Sequence, residues 1–213
     1  MNRLIKHVAT AMGSSLLLSV ALVATPVTVQ EVGVGASKVV NISASNLGTF
    51  NAYAGVLHLV VDGTPTDGFC VDPWHWSSSS PQQYETVALG VANKPPGPMG
   101  TDTALKIEQL WQHYYSPSIS NETAAGLQIA IWKLVDEAVF SATFSINSYD
   151  YGASSFISWV EANPSAPAAN LIGLTGVGQD YAIQKVPDGA MTITLLGLSF
   201  LGLVAIRKKI ERV

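Results

Sequence analysis

Apolar residues at helical spacing mark the middle of the chain. From Thr103 onward, apolar side chains recur every three or four residues, which predicts one face of a helix with Thr101 or Asp102 as its cap. A second helix is predicted over residues 122–139, "ETAAGLQIAIWKLVDEAV", and a third, shorter one over "GASSFISWVEANP". The apolar face predicted for the second helix is Leu127, Ile131, Leu134 or Val135, and Ala138.

Strand-like segments lie on both sides of this helical section. "KVVNISASNLGTF" and "AYAGVLHLVVDG" precede it, and the turn-rich "DGTPTDG" joins the latter to a returning strand, "FCVD". Further strands are predicted over residues 84–89, in "SATFSINS" and in "DYAIQKV", whereas "GVGAS" near Gly33 has the composition of a linker. This order predicts an α+β fold, a mostly β scaffold of sandwich or barrel type with an inserted helical section.

The first 26 residues have the layout of a secretory signal peptide. Arg3 and Lys6 give a basic start, and an apolar run ending in small residues extends to Ala24. An uncleaved membrane anchor is the alternative interpretation. We expect an exported protein with one extracytoplasmic domain over residues 27–185.

The end of the chain, residues 186–213, contains a second apolar segment. Residues 190–206 carry no charge, and as a helix they would span roughly 25 Å, close to the bilayer core of roughly 30 Å. Arg207, Lys208 and Lys209 follow directly and favour a cytoplasmic tail. A single transmembrane helix is therefore predicted here, with a buried core helix as the alternative.

Charge and composition narrow the classes of partner. Between the two ends, the body holds five basic and thirteen acidic residues, a net charge of about −8. Proteins that bind nucleic acid need a basic face, so that class is excluded. Many small residues and several tryptophans are typical of an extracellular module. No pair of Cys or His residues has the spacing of metal ligands, and no metal or cofactor is expected.

A short motif precedes the C-terminal apolar segment. It is "VPDGA", which begins with Val186, Pro187, Asp188 and Gly189. Motif, apolar helix and basic tail together resemble the PEP-CTERM class of bacterial sorting signals. The resemblance implies an inner-membrane intermediate that is processed by an exosortase, a membrane transpeptidase. It also implies delivery to the surface of a Gram-negative bacterium or to its exopolysaccharide layer.

Cys70 is the only cysteine in the chain, whereas secreted domains of this kind normally have an even number. Gln128 lies beside Leu127 and Ile131 on the second predicted helix, so its amide points partly inward and needs a partner. A thiolate can attack a glutamine carboxamide and expel ammonia. An internal thioester remains when the two side chains are held together away from water. Cys70 and Gln128 are the candidates for such a bond.

The pairing resembles the thioester domains of bacterial surface adhesins. These have a cysteine after an aromatic residue on a strand, as at Phe69 and Cys70, and a helical motif Thr-Gln-x-Ala. Gln128 and Ala130 match this motif, whereas Leu127 replaces the threonine. The resemblance implies that Cys70 and Gln128 are cross-linked, and that the protein adheres to a surface ligand or to exopolysaccharide.

Three other interpretations use the same region. In the first, the protein is a non-covalent structural or carbohydrate-binding matrix protein, and Cys70 is an inert buried residue. In the second, Trp74 and Trp76 form a sugar-stacking platform, although packing of one tryptophan onto the domain is the more ordinary role. In the third, Asp72 and His75 assist Cys70 in a cysteine hydrolase. Their closeness along one segment disfavours that geometry, so we expect no enzyme and a solvent-exposed His75.

Overall fold

The strands of the body form one antiparallel sheet. The computed structural model describes residues 25–44, 46–92, 97–139 and 144–185, and within them the sheet has seven strands. These are β1 (Thr25–Ala44), β2 (Gly48–Val61), β3 (Thr64–Cys70), β4 (Gln82–Ala88), β5 (Phe144–Ile146), β6 (Leu171–Gly176) and β7 (Tyr181–Gln184). Val and Thr are frequent in β1 because β-branched side chains fit a pleated surface.

Strand pairing closes this sheet into a ring. β1 pairs with β2 over residues 29–44, while its first residues, 25–29, pair with β4. The remaining neighbours follow the order β2, β3, β7, β6, β4, so the pairings return to β1. β5 adds to the end of β1 at residues 42–44. Closure in this way removes most of the unpaired strand edges that an open sheet exposes.

The hairpin that leads to Cys70 is tighter than predicted. Asp62 and Gly63 have positive φ values of 46° and 80°, and Val61 pairs directly with Thr64. Such two-residue turns match the twist of antiparallel strands and favour Asp-Gly. The predicted seven-residue turn "DGTPTDG" is therefore wrong, and β3 already begins at Thr64.

Two further predictions about strands are wrong. The "linker" around Gly33 belongs to β1, which starts at Thr25, two residues before the predicted start of the domain. β1 accommodates its glycines through two shifts of register against β2, after Glu31 and after Val34. β6 was not predicted, because "LIGLTG" is short and contains two glycines. Gly173 is required there, since a Cβ at this position would lie 2.6 Å from the Ala92 Cβ.

The three predicted helices are present in the described chain, all between β4 and β6. They are α1 (Gly100–Tyr114), α2 (Asn121–Val139) and α3 (Ala153–Ala162). The predicted caps of α1 are wrong, since the helix begins at Gly100 and Met99 precedes it without a side-chain capping bond. Gly100 enters the helix with a φ of 83°, a conformation that glycine adopts without strain.

α2 is the central element of the core. It packs against β1, β2 and β3 on one side and against α1 and α3 on the other. Almost every residue from Ala124 to Asp136 is buried, so the single apolar face predicted for this helix is too narrow. Ala138, assigned to that face, is exposed beyond the last buried turn.

The order of elements confirms the α+β class, a mostly β scaffold with an inserted helical section. In the part of the chain that the structure describes, no helix combines the length and the apolar character needed to cross a bilayer. The predicted transmembrane segment, residues 190–206, lies outside the described residues, as does the signal peptide up to residue 24.

Candidate functional site

Cys70 is the last residue of β3 and is 2 % exposed. Its backbone lies in register with Tyr181 of β7, and its neighbours Phe69 and Val71 are completely buried. The Phe69 ring packs edge-on against Trp111 of α1, with the centroids 5.2 Å apart. The end of β3 is thus held on both sides, by a strand and by the helical section.

Gln128 reaches this strand end from α2. Its side chain is 1 % exposed, and its chain neighbours Leu127 and Ile129 are fully buried. The Gln128 Nε2 atom donates to the Cys70 carbonyl oxygen at 2.7 Å, and the Cys70 backbone N–H donates to Gln128 Oε1 at 2.9 Å. The structure therefore brings the two predicted site residues together, with the amide bonded to the backbone of Cys70.

The thiol of Cys70 is buried and has polar neighbours. The Asp72 backbone N–H donates to Sγ at 3.2 Å. Burial raises the pKa of the thiol well above its ordinary value, and the negative charge of Asp72 raises it further. A hydrogen bond from the Trp132 side chain lowers the pKa by a smaller amount. At neutral pH the sulfur is consequently a protonated thiol.

Asp72 is a buried carboxyl group beside this thiol, with 1 % of its surface exposed. Its Oδ1 atom accepts a hydrogen bond of 3.1 Å from the Trp74 backbone N–H. Its Oδ2 atom lies 2.6 Å from His75 Nδ1. Burial raises the pKa of Asp72 to about 6, and the nearby His75 limits the rise. Above that pH the Asp72 side chain is mainly a carboxylate, hydrogen-bonded to the His75 ring.

A partial signal for this pair is present in the sequence. Asp72 and His75 occur together in the disfavoured hydrolase interpretation, and His75 is predicted to be an exposed loop residue. In the structure the His75 side chain is 38 % exposed and forms a hydrogen bond with the Asp72 carboxyl group. A turn at "DPWH" places residues three apart face to face, and this spacing is the signal that identifies them.

A second buried carboxyl group, Asp180, adjoins Asp72. It is 1 % exposed, and its Oδ1 accepts a hydrogen bond from the Gly176 backbone N–H at 3.1 Å. Its backbone oxygen accepts a hydrogen bond from the Val71 N–H at 3.0 Å, which ties the segment after Cys70 to the residue that precedes β7. The negative charge of Asp180 contributes to the raised pKa values of both Asp72 and Cys70. Nothing in the sequence pattern singled out this residue.

The two tryptophans of "PWHW" have different environments. Trp74 is 3 % exposed and belongs to the core, so its ring is not accessible to a sugar. Trp76 is 61 % exposed, and its ring contacts Phe50 with the centroids 4.8 Å apart. The exposed ring at this surface is therefore Trp76, which contacts the half-buried Phe50 of β2, whereas Trp74 is packed in the domain.

A cavity of about 190 Å³ lies over the site, and Cys70 and Trp132 are among the residues that line it. The described residues contain no cluster of three or more His, Cys, Asp or Glu side chains that could hold a metal ion. The sorting motif, Val186, Pro187, Asp188 and Gly189, and the basic residues Arg207, Lys208 and Lys209 lie outside the described residues.

No protein family, curated protein or solved structure matches this chain. The chemistry of the site must therefore be argued from its own residues.

Proposed function

We propose that this protein is an exported cell-surface or exopolysaccharide-associated protein that adheres covalently through an internal thioester between Cys70 and Gln128. Export and sorting rest on the sequence of the two chain ends. The proposal of a thioester depends above all on one observation: the buried Gln128 amide forms two hydrogen bonds with the backbone of Cys70.

Three features of the contact favour thioester formation. The Cys70 N–H bonded to Gln128 Oε1 polarises the amide carbonyl and remains available to the acyl oxygen of the product. The second bond, from Nε2 to the Cys70 carbonyl oxygen, fixes the orientation of the amide relative to the cysteine. Both residues are almost fully buried, which limits the access of water that would hydrolyse the product.

The bond changes are balanced without an external reagent. The Cys70 sulfur attacks the Gln128 Cδ atom, a carbon–sulfur bond forms, and the bond between Cδ and Nε2 breaks. The nitrogen departs with the thiol proton as ammonia. The pKa of the thiol is raised, so its proton must be transferred during the attack, and the neutral thiol delivers it towards the leaving nitrogen.

The thioester is an acylating group and accounts for adhesion. An amine or a hydroxyl group on a target opens it, becomes attached to the Gln128 acyl carbon, and releases the Cys70 thiol. Because each molecule reacts once and keeps its target, the protein is an adhesin and has no turnover. An exosortase and the exopolysaccharide are its proposed partners.

The alternative function is a non-covalent structural or carbohydrate-binding matrix protein with an inert cysteine. One observation favours it, since both functional groups of the Gln128 amide already have partners and the contact also serves to tie β3 to α2. In that case the raised pKa of Cys70 simply keeps the thiol unreactive.

The intact mass of the secreted protein distinguishes the two functions. A thioester lowers the mass by one ammonia relative to the sequence of the processed chain. Cys70→Ala should restore the full mass, and it preserves the contact because both hydrogen bonds between these residues use the Cys70 backbone. Gln109→Leu is a matched control, since Gln109 is also a buried glutamine that bonds to backbone oxygens, of Pro164 and Ala166.

The deficit should persist in the Gln109→Leu protein. A full mass in the unsubstituted protein supports the inert cysteine. A deficit that survives Cys70→Ala contradicts the thioester as well, because the ammonia would then be lost at another amide.

A further inference from the structure

The cavity over Cys70 combines groups that suit an acceptor molecule. Its volume of about 190 Å³ is comparable to that of one hexose. Its lining includes Cys70, Trp132, Glu31, His75, Phe50 and Trp76. Because the thiol-bearing residue is itself part of the lining, a molecule in this cavity lies next to the proposed thioester.

One wall of the cavity is aromatic and accessible. Phe50 and Trp76 are in ring contact, and Trp76 is 61 % exposed although it is a large apolar side chain. The apolar faces of sugar rings pack well on such exposed indoles, whose bodies are apolar and whose edges are polar.

Glu31 of β1 supplies a polar group to the same cavity. Burial raises the pKa of this carboxyl group, and a hydrogen bond from the Ser77 side chain limits the rise. Its Oε2 atom is buried and has no hydrogen-bond partner among the described residues. A buried acceptor without a donor is unfavourable, and a ligand hydroxyl group in the cavity would satisfy it. The cavity therefore offers an aromatic face together with an acceptor for a hydroxyl proton.

His75 provides a base in the same cavity. When Asp72 is ionised, the His75 Nδ1–H donates to Asp72 Oδ2 at 2.6 Å, and this bond leaves Nε2 as the basic nitrogen. The carboxylate is itself held by the Trp74 backbone N–H. A buried carboxylate that fixes the tautomer and orientation of an imidazole is a common arrangement for general-base catalysis.

We propose that this cavity is the acceptor site of the thioester, that it takes a carbohydrate hydroxyl group, and that His75 is the base that activates this hydroxyl. The inference rests on the proposed function. A hydroxyl group needs such a base, because it is a poor nucleophile until its proton is removed, whereas a neutral amine attacks with its own lone pair.

The transfer is balanced within the site. The sugar oxygen bonds to the Gln128 acyl carbon while the carbon–sulfur bond breaks. His75 Nε2 takes the hydroxyl proton and returns it to the Cys70 sulfur. The products are an ester on Gln128 and a neutral thiol. Protonation of the leaving sulfur is needed, because burial and the charges of Asp72 and Asp180 disfavour a thiolate.

The test compares a hydroxyl probe with an amine probe. The secreted protein is incubated with methyl α-glucoside or with Nα-acetyl-lysine, and the rates of both adducts are read from intact masses. We expect the glucoside ester to form, and His75→Gln to slow it about 100-fold while slowing the lysine adduct much less. Trp76→Ala should also lower the ratio of glucoside to lysine adduct, about fivefold. Tyr149→Ala is the control, since Tyr149 is 73 % exposed and is not part of the cavity lining.

The outcomes separate the two proposals. A lysine adduct without a glucoside ester overturns the carbohydrate acceptor and points to protein amines. An unchanged ratio in His75→Gln overturns the role of the base. The His75→Gln protein cannot report on the base if it lacks the ammonia deficit. In that case the ratio of glucoside to lysine adduct in the Trp76→Ala protein tests the acceptor site, and an unchanged ratio overturns the proposal. An unsubstituted protein of full mass overturns the thioester and this inference together.

Discussion

Cys70 uses its backbone and its side chain for different purposes. The backbone N–H and carbonyl hold the Gln128 amide, while Sγ accepts a hydrogen bond from the Asp72 backbone. Replacement of the sulfur therefore removes the proposed cross-link but leaves the backbone hydrogen bonds to α2 in place.

The raised pKa of Asp72 predicts how the stability of the protein depends on pH. Its pKa rises from 3.8 to about 6 on folding, so between these values the folded state binds more protons than the unfolded state. The free energy of unfolding should fall as the pH rises through this window, by about 3 kcal/mol, with the loss complete above the folded pKa. Asp72→Asn should lack this pH-dependent loss.

Urea unfolding of both proteins at pH 4 and pH 7 measures the effect. The difference in free energy of unfolding between Asp72→Asn and the unsubstituted protein should increase towards pH 7 in favour of the variant. An equal difference at both pH values would show that burial does not raise this pKa.

The sequence identified much of the site at the residue scale. Cys70 and Gln128 were paired because an unpaired thiol in an exported protein and an inward amide both need an explanation. The bond geometry was not predictable, since the amide contacts the backbone of Cys70 and a backbone partner leaves no trace in residue type. Asp180 was missed for a similar reason, because its position beside Asp72 depends on how β6 and β7 pair with other strands.

At the scale of elements, α2 packs very closely against the chain segment that leads into α3. A Cβ at Gly126 would lie 2.3 Å from the Tyr151 carbonyl oxygen and 3.0 Å from the Phe156 ring. Gly126→Ala should therefore displace the helix that carries Gln128 and reduce the free energy of unfolding by about 1 to 3 kcal/mol, measured by urea unfolding.

Gly33→Ala is the matched control, because a Cβ at Gly33 in β1 meets no atom within 4 Å. Its free energy of unfolding should change by less than about 1 kcal/mol. Equal effects of the two substitutions would mean that the contact between α2 and Tyr151 is not tight.

Element predictions succeeded where the signal is local. The helices were found because apolar residues recur at helical spacing, and β2 because its apolar run is closed by Asp-Gly. The first part of β1 is rich in Val and Thr, but Gly33 and Gly35 interrupt it, and β6 is short and contains two glycines. Their strand conformation depends on partners distant in the chain, such as the pairing of β1 with β4.

At the scale of the whole molecule, a thioester is a cross-link between the ring of strands and the inserted helical section. Cys70 and Gln128 are 58 residues apart in the chain. If the cross-link acts as a disulfide of that loop length does, it contributes about 4 kcal/mol by restricting the unfolded chain.

Opening the thioester with methylamine should therefore lower the free energy of unfolding by about 4 kcal/mol, measured by urea unfolding before and after treatment. The Cys70→Ala protein provides the control, since methylamine has no thioester to open and should leave its transition unchanged. Identical transitions in the treated and untreated unsubstituted protein would argue against a cross-link.

Peptide mapping of the secreted protein tests the bond itself. After digestion at low pH, tandem mass spectrometry should find the peptide of "GFCVD" joined to that of "LQIAIW", lighter than their sum by one ammonia, and hydroxylamine should separate them. Two separate peptides of full mass, with an alkylatable sulfur at Cys70 and an intact amide at Gln128, would contradict the account.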